Sequence, residues 1–505
     1  MRKVMDGPIG KEYIAAVASK MGIQIVDFMY LGTRQVNLRQ YRDVKTPADL
    51  AGVKLRMPPG AGWTALGRGL GVTPTPMAMP EVYLAMKSGA IDGQENPLAL
   101  ARYNNLHEVS QQFVLTDHLV QPVAFAIAFA VAEGHRRGLE VHAWINPYRA
   151  WHPAAKKGPA PGHIVSRRPD LVRTYGQYRW MDPAEDEVRR QTLAVVKDIV
   201  TRYDIDGLHI DDYFYPYPVR DKSGKAIEFP DDGAYRRYRE AGGKLSRADW
   251  RRQHVDDLVR AMYETIKSAK RWVKFGISPF GIYRPGVPAG IKAGLDQYAE
   301  LYADARRWLR EGWCDYFTPQ LYWRIEPPAQ SYPALLGWWL EQNPKERHLW
   351  PGNYASQVAN GWPAQEIIDQ IEVTRKAKAG GNVLFSMKPL LKGTAGLDKR
   401  LAESAYRGLA LVPASPWLGD GRPSAPVVKA SNRSGGSWRL LLAEARPARF
   451  VALYALRNGE WSLASVSDDT HRAVPDAGVE ALAVSAVSRT GIESPRVVLR
   501  PPKSD

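Results

Sequence analysis

The sequence predicts a mixed α/β protein organised around an incomplete (β/α)8 barrel of the TIM type, with an α/β segment before it and a β-sandwich after it. The helical run Asp186–Tyr203 leads directly into the apolar strand Gly207–Ile210, which is the helix-then-strand unit of a parallel barrel. Apolar, β-branched stretches of this kind occur six times: LEVHAWI, GLHID, KFGISPF, DYFTPQLYW, RHLWPGNYA and GNVLFSM. Because a closed barrel needs eight strands, these six predict an open one.

Two adjacent carboxylates at the end of the strand Gly207–Ile210 are the main candidates for chemistry. Asp211 and Asp212 come directly after this strand, and four aromatic residues follow them: Tyr213, Phe214, Tyr215 and Tyr217. Parallel barrels carry their chemistry at the carboxyl ends of their strands. A structural alternative is that the pair only caps the next turn. We favour the functional interpretation because uncompensated acids beside a strand end are costly to keep.

Composition excludes several classes of protein. The 505 residues are enough for two to four domains, with 45% hydrophobic and 24% charged residues. The single cysteine, Cys314, excludes an internal disulfide and predicts a buried apolar role. Despite a net charge of +16, Lys and Arg are spread along the chain without a nucleic-acid-binding motif, so no nucleic-acid partner is predicted. No membrane span and no signal peptide are expected from the apolar pattern.

Residues 1–126 are predicted to form an α/β segment, with a helix at Lys11–Met21, a strand in GIQIVDFMYLG, and a capped turn and strand in TPADLAGVKLRMP. The motifs DLAGVKLRMP, TPTPM and EVYLAMKSGAIDGQENPL resemble those of solute-binding proteins of tripartite ATP-independent periplasmic (TRAP) transporters. The resemblance implies that Arg56 clamps a substrate carboxylate, for which a planar guanidinium is suited, and that Gln94 and Asn96 add polar contacts. A surface salt bridge is the alternative for Arg56. The resemblance covers only a fragment of that family.

Residues 127–412 carry a second resemblance. The motifs HRRGLEVHAWINPYR, DGLHIDDYFYPYP, FPDDGAYRRY, KFGISPFGIYR, WCDYFTPQLYW and LWPGNYA are similar to those of family 10 glycosylhydrolase-like proteins, which are bacterial envelope (β/α)8 barrels. The first two strands of that family have no counterpart here. The resemblance implies hydrolysis of O-glycosidic bonds, with cell-wall glycan carrying N-acetyl sugars as the substrate class.

Glycoside hydrolysis normally uses two carboxylates from different strands. The other strand ends offer only Glu326, several residues into its loop, as a remote acid. This scarcity favours a substrate-assisted route, in which an acetamido group of the sugar acts as the nucleophile. By similarity to enzymes that act on N-acetylhexosamines, Asp211 is expected to orient that group, Asp212 to protonate the leaving oxygen and Tyr322 to steady the intermediate. Glu326 remains the alternative acid.

Polar and aromatic residues near the other strand ends are candidates for sugar contacts. Aromatic faces stack on sugar rings, whereas amides and arginines read hydroxyl groups. The candidates are His142, Trp144, Asn146, Arg149, His209, Tyr213, Gln320, Trp323, Asn353 and Tyr354. Trp144 and Trp323 are equally consistent with core positions under the rim. No metal and no cofactor are predicted, because His142, His209 and Asp211 lack a metal-ligand spacing.

A Pro-rich linker is expected at 413–424, followed by a β-sandwich at 425–505 that resembles a fibronectin type III module. The sequence therefore predicts a glycosidase acting on envelope glycan, without nucleic-acid or metal partners. A carboxylate-binding component of a TRAP transporter, with the membrane subunits as partners, is the first alternative. A non-functional chimeric gene product is the second. Both resemblances imply the periplasm or cell envelope, although the chain shows no export signal of its own.

Overall fold

The computed structural model describes residues 12, 25–155, 158–159, 162–419, 421–434, 437–443, 448–475 and 477–500. The chain divides into two compact units, Met1–Ala130 and Val131–Asp505, here called the N-terminal unit and the C-terminal unit. The predicted helix at Lys11–Met21 lies outside the described residues except for Glu12, which is helical.

The N-terminal unit contains a five-stranded mixed sheet. Its strands are β1 (Ile25–Leu38), β2 (Lys54–Met57), β3 (Thr73–Pro76), β4 (Gly93–Pro97) and β5 (Gln112–Ala126), in the order β3-β2-β4-β1-β5. Its helices are α1 (Ala61–Gly69), α2 (Val82–Ser88), α3 (Leu98–Tyr103) and the start of α4 (Ile127–Arg136). The predicted capped turn is confirmed, because the carboxylate of Asp49 accepts the backbone N–H of Thr46 at 2.7 Å.

The C-terminal unit is built around six parallel strand positions. Strands β6 to β15 are His142–Ile145, Arg149–Trp151, Val172–Tyr175, Tyr178–Met181, Gly207–Ile210, Lys274–Ile277, Tyr316–Phe317, His348–Leu349, Gly352–Asn353 and Val383–Leu384. A parallel sheet runs in the order β13-β12-β11-β10-β6, and β14 pairs in parallel with β15. An isolated parallel bridge between Gln320 and Gly352 connects the five-stranded sheet with the pair β14-β15. Strands β13 and β14 therefore count as one barrel strand with a short interruption. All six predicted strands are present, and within the described residues no ladder joins β6 to β15.

Helices cover the outer face of this ladder. They are α5 (Ile164–Arg167), α6 (Asp186–Arg202), α7 (Asp232–Glu240), α8 (Arg247–Ala269), α9 (Gln297–Glu300), α10 (Ala305–Glu311), α11 (Tyr332–Glu341), α12 (Ala364–Lys376), α13 (Lys388–Leu391) and α14 (Leu397–Glu403). Helix α8 begins where the Ser246 hydroxyl accepts the N–H of Asp249 at 3.1 Å. Its buried residues Val255, Leu258, Met262 and Ile266 recur at helical spacing and pack in the core with the strands.

Two aspartates at strand starts tie neighbouring strands together. Asp206 accepts the backbone N–H of Val141 at 2.8 Å, and Asp315 accepts that of Phe275 at 2.8 Å. Both carboxylates are buried. These hydrogen bonds fix the register of the ladder and therefore the height at which each strand ends.

The remaining strands form two antiparallel sheets. Strands β16 to β22 are Val428–Ser434, Ser437–Leu442, Ala448–Arg457, Glu460–Ser467, His471–Pro475, Ala481–Ser488 and Val497–Leu499, in the orders β16-β17-β20 and β19-β18-β21-β22. The segment predicted as a linker is anchored rather than free. Ser415 is buried against His348, and the Trp417 indole donates to the buried Asp315 at 2.9 Å. Among the described residues, no helix is both long and apolar enough to cross a membrane.

Candidate active site

The carboxyl end of β10 carries two buried acids side by side. Asp211 and Asp212 retain only 8% and 5% of their surface. Burial of a carboxylate without a matched cation is costly, and for each residue burial is the main reason that the pKa is raised above its usual value. Burial therefore favours the protonated form of each acid.

Three donors surround the carboxylate of Asp211. Its Oδ1 accepts the backbone N–H of Tyr213 at 3.3 Å and the amide of Asn146 at 3.4 Å, and the Trp144 indole also bonds to this carboxylate. Burial, together with the neighbouring charge of Asp212, outweighs these donors and raises the pKa of Asp211 to about 6. Asp211 is therefore suited to hold a proton.

Asp212 has a different set of donors. The hydroxyl of Tyr217 donates to Oδ2, and the Gln320 amide also bonds to this carboxylate. The Gln320 amide is itself oriented by the backbone carbonyl of Ser278, at 2.8 Å. Burial raises the pKa of Asp212, while Tyr217 and Gln320 act in the opposite direction and favour the ionised form. The two acids therefore differ in their surroundings although they are adjacent in sequence.

A small antiparallel sheet, β7-β9-β8, borders the acid pair on one side. It begins four residues after the end of β6, where the Asn146 side chain accepts the N–H of Arg149 at 2.9 Å. The Arg149 guanidinium lies 4.4 Å from the centre of the Tyr213 ring and lowers the pKa of both acids. Arg149 and Tyr213 were both predicted as substrate contacts, and the fold brings them together beside the pair.

Three aromatic rings gather at the carboxyl ends of the last strands. The Tyr322 and Tyr354 ring centres are 4.8 Å apart, and Phe385 lies 5.7 Å from Tyr322 and 5.9 Å from Tyr354. Tyr322 faces the acids, since the charges of Asp212 and Asp211 raise its pKa further after burial. Phe385 is half exposed and was not predicted. Its position just after β15, in the stretch VLFSM, is the signal that could have identified it.

The other predicted residues lie at different depths. Trp144 is 61% exposed, and Trp323 packs edge-on against Phe280 with ring centres 5.5 Å apart. Glu326 is exposed, and no hydrogen bond joins it to the acid pair within the described residues. Asn353 is fully buried, and its amide donates to Gln370 at 2.9 Å. The structure therefore separates Asn353 and Glu326 from the acids.

His142 and His209 line the barrel interior instead of the cleft. Burial lowers the pKa of His209 to about 3, so its imidazole is neutral. The hydroxyl of Tyr316 lies 2.8 Å from Nδ1 of His142 and 3.0 Å from Nδ1 of His209. Gly207 and Gly276 make room for these side chains, because a Cβ there would lie 2.5 Å from the His142 ring and 1.8 Å from that of Tyr316.

The direction of the hydrogen bonds in this interior chain follows from its ends. Burial alone would raise the pKa of Glu140, but His142 and Lys274 lower it. The ionised carboxylate therefore accepts a hydrogen bond from Nε2–H of His142 at 3.1 Å. Nδ1 of His142 then accepts from Tyr316, whose oxygen accepts from Nδ1 of His209. Nε2 of His209 in turn accepts the hydroxyl of Ser278 at 2.8 Å. These hydrogen bonds hold Ser278, the residue directly after β11, whose backbone carbonyl orients Gln320. Among the described residues no cluster of three or more metal-ligating side chains is present.

The N-terminal unit holds its own cluster of buried polar residues. Arg56 on β2 lies beside Gln94 on β4 in the parallel register, and both are buried. The amide of Asn96 donates to that of Gln94, which bonds to Asn37. The guanidinium of Arg56 donates through Nε to the carbonyl of Met77 at 2.8 Å. The three residues predicted for solute binding therefore lie together.

Comparison with known proteins places the barrel in a family. The family model "Glycosyl hydrolase-like 10" matches residues 108–367. Glycosyl hydrolase YngK of Bacillus subtilis (strain 168) is 35% identical over 394 residues, which cover 74% of this chain and 75% of that protein. The chain belongs to the glycosyl hydrolase-like 10 family. The predicted resemblance is confirmed for this part of the sequence.

Other relatives match shorter parts of this glycosyl hydrolase-like 10 protein. Glycosyl hydrolase DigH of Escherichia coli (strain K12) is 36% identical over 229 residues, 43% of this chain and 50% of that protein. Residues 1–129 match the family model "Bacterial extracellular solute-binding protein, family 7". A TRAP periplasmic solute-binding protein from Roseobacter denitrificans, solved with bound 3-deoxy-D-manno-oct-2-ulosonic acid, is 45% identical over 26% of this chain and 44% of its own, with a TM-score of 0.25. The resemblance predicted for the N-terminal segment is likewise confirmed.

Proposed function

We propose that this protein is a glycoside hydrolase that cleaves O-glycosidic bonds in bacterial envelope glycan, at N-acetylhexosamine units of the kind found in peptidoglycan. The observation that carries the proposal is the pair Asp211 and Asp212, two buried adjacent acids whose hydrogen bonds differ. One acid that keeps a proton beside one that stays ionised is the arrangement that glycoside hydrolysis requires. The half-exposed ring of Phe385 beside Tyr322 supplies an apolar face for a sugar.

In this proposal Asp211 protonates the leaving oxygen and Asp212 orients the acetamido group. This reverses the roles expected from family similarity, and the reason is the distribution of donors. Tyr217 and Gln320 stabilise an ionised Asp212, which can accept the N–H of an acetamide, whereas the pKa of Asp211 is raised to about 6. Burial raises the pKa of Tyr322, so its hydroxyl stays protonated. This hydroxyl can donate a hydrogen bond to the carbonyl oxygen of the acetamido group as that oxygen attacks the sugar.

The substrate-assisted route rests on the surroundings of the pair. Two protein carboxylates that work as acid and nucleophile or base stand about 5–9.5 Å apart across the scissile bond, normally on different strands. Among the described residues, the other loop acid considered, Glu326, is exposed and is not hydrogen-bonded to the pair. An internal nucleophile from the sugar removes the need for a second acid across the bond. That requirement selects sugars with an N-acetyl group.

We further propose that six strands are enough to hold this site. The residues that surround the acids come from β6, β10, β12, β14 and β15 or the loops that follow them, and all of these belong to the observed ladder. The barrel is thus proposed to be incomplete but organised at its catalytic end. The C-terminal strands, proposed as a β-sandwich resembling fibronectin type III, carry no part of the chemistry. The envelope or periplasm is the proposed location, in keeping with the solute-binding resemblance.

The test is digestion of purified peptidoglycan. The full-length protein is expected to release soluble glycan fragments whose masses fit cleavage of glycosidic bonds, because the acid pair is proposed to cleave bonds within the glycan chain. Asp211→Asn and Asp212→Asn proteins, prepared and checked for folding in parallel, are the controls. Products that appear equally with both variants would come from a contaminant, and absence of product from the wild type would remove the proposed function.

A second candidate function, in the N-terminal unit, is binding of a small carboxylate. The observation that favours it is Arg56, which is 4% exposed and donates from Nε to Met77, while no hydrogen bond from its two terminal nitrogens is recorded among the described residues. A buried guanidinium with free terminal N–H groups is suited to bidentate binding of a carboxylate. In that case TRAP membrane subunits are the proposed partners of this unit.

Thermal unfolding of the full-length protein with millimolar sugar acids, such as glucuronate, tests this candidate. A ligand that binds only the native state raises the midpoint, by mass action. Arg56→Lys is expected to abolish the increase because an ammonium cannot pair with both oxygens. Arg68→Lys, on the exposed side of α1, is the matched control and should keep it. A midpoint that no sugar acid moves, or that moves equally in both variants, argues against a carboxylate site.

A further inference from the structure

Aromatic rings continue outward from the acid pair along the small sheet β7-β9-β8. Starting at Tyr217, the ring centres of Tyr213, Trp180, Tyr178 and His152 follow at successive separations of 5.9, 6.2, 6.3 and 5.6 Å. Tyr217, 38% exposed, is the member that donates to Asp212. The row therefore begins at the reacting groups and ends on the exposed His152, which directly follows β7.

Trp180 is the buried residue in the middle of this row. It is 1% exposed, and its indole N–H donates to the carbonyl of Phe214 at 2.9 Å, which fixes the sheet to the loop after β10. Tyr213 and Tyr178 pack against its two sides and stay partly exposed. A rigid tryptophan thus presents two partly open tyrosine rings toward solvent.

One face of the sheet carries the row, because Tyr178 and Trp180 are two residues apart on β9 and side chains alternate along a strand. In the β7–β9 register Trp151 lies opposite Arg179, so these two side chains belong to the other face. The outer end of the row is the Tyr178 ring with the exposed imidazole of His152, 5.6 Å away. A partly exposed aromatic face beside an imidazole is a combination that binds a sugar ring and reads its hydroxyl groups.

We propose that the face of the sheet β7-β9-β8 that carries Tyr178 is an extended binding site for sugar units of a polymeric glycan beyond the cleaved bond, with Tyr178 as its stacking residue. The inference rests on the proposed function, since it assigns a chain, not a short oligosaccharide, as the substrate of the acid pair. Tyr178 does not touch the acids. Its contribution is to hold a long glycan in register, and it is absent for a substrate of one or two sugars.

The test compares kcat/KM on long glycan chains with kcat/KM on a short aryl glycoside of N-acetylhexosamine. Tyr178→Ala should lower the value on long chains about 3- to 10-fold, the effect of losing one aromatic stack, and leave the short substrate unchanged. Tyr178→Leu, which keeps apolar packing, should behave like Tyr178→Ala. Trp461→Ala, at an exposed tryptophan of β19, is the matched control and should change neither value.

A second measurement separates this inference from the proposed function. In co-sedimentation with insoluble peptidoglycan, the full-length Asp211→Asn protein should bind, and adding Tyr178→Ala should weaken binding by a similar factor. If Asp211→Asn binds and the wild type does not cleave, the proposed function fails while the glycan site stands. Equal losses on long and short substrates, or no loss on either with unchanged sedimentation, would overturn the extended site.

Discussion

Asp211→Asn is expected to lower kcat/KM on unactivated glycan by about 10²- to 10⁴-fold, the usual contribution of a general acid. Asparagine keeps the shape of the side chain but has no proton to give to a leaving oxygen. An aryl glycoside with a nitrophenolate leaving group needs no protonation, so Asp211→Asn should retain much of the first step on that substrate. Kinetics on the two substrates measure the difference.

Asp212→Asn is the matched variant because it changes the neighbouring acid in the same way. If Asp212 orients the acetamido group, its loss should slow both substrates alike, since leaving-group quality cannot replace the orienting carboxylate. Should Asp212→Asn be the variant restored by the activated leaving group, the roles assigned here are interchanged. Should neither variant lose activity, the pair is not catalytic.

The pH dependence follows from the same assignment. A general acid works in its protonated form, and the pKa of Asp211 is raised to about 6, so kcat/KM should fall as the pH rises through about 6. Because Asp212 is required in its ionised form, its protonation as the pH falls should produce the opposite limb. In Asp211→Asn the alkaline decrease should be absent on the activated substrate.

The same shift also provides a control for folding. Because the folded state raises the pKa of Asp211 above its usual value, the stability associated with this group is present at low pH and is lost as the pH rises through about 6. Asp211→Asn should therefore be at least as stable as the wild type at pH 7. Loss of activity with unchanged or higher thermal stability points to chemistry and not to unfolding.

Asp231→Ala is expected to destabilise the C-terminal unit by about 3–5 kcal/mol, the usual effect of breaking a buried ion pair. Asp231 is fully buried and accepts two hydrogen bonds from Arg251, at 2.8 and 2.7 Å, and a further contact from Arg247. Its removal leaves the Arg251 guanidinium, 2% exposed, without its main counter-charge. Urea unfolding followed by tryptophan fluorescence measures the change.

The neighbouring Asp232→Ala is the control. The Asp232 side chain is 78% exposed, and within the described part of the chain its ion-pair partner is Arg247 alone, so the loss should be no more than about 1 kcal/mol. Arg251 also lies against the rings of Tyr215 and Tyr302, so Asp231→Ala should loosen the loop that follows the acids. Equal destabilisation by the two variants would show that burial of Asp231 does not matter.

The sequence alone located the barrel strands because their signal is local. Apolar, β-branched stretches between helices identified all six positions, and β10 begins at Gly207 as expected. The acid pair was found for the same reason, since Asp211 and Asp212 are adjacent and follow a recognisable strand. Arg149, Gln320, Tyr322 and Tyr354 were also selected from their places after strands, and they meet around or beside the pair.

The burial of a side chain and its hydrogen-bond partners could not be predicted from the sequence. Asn353 and His209 were also selected from their places in the predicted barrel strands. The fold turns both side chains into the interior, where they form hydrogen bonds. Phe385 and Tyr217 were not selected as site residues, although Phe385 follows β15 and Tyr217 belongs to the aromatic cluster after the acids, because their contacts come from residues distant in sequence or depend on the turn of a loop. The segment predicted as a linker is anchored through Trp417 and Asp315, which lie far apart in the sequence.

The amino-acid sequence by itself determined which strands form, which family motifs they carry and that two acids stand together at one strand end. Only the tertiary structure gives the two acids different surroundings, from which their separate roles are proposed. The donors are Tyr217 and Gln320 for Asp212 and Trp144 and Asn146 for Asp211, and separate parts of the barrel bring them to within hydrogen-bonding distance. A pKa is set by burial and by such neighbours, and neither is a property of a residue's place along the chain.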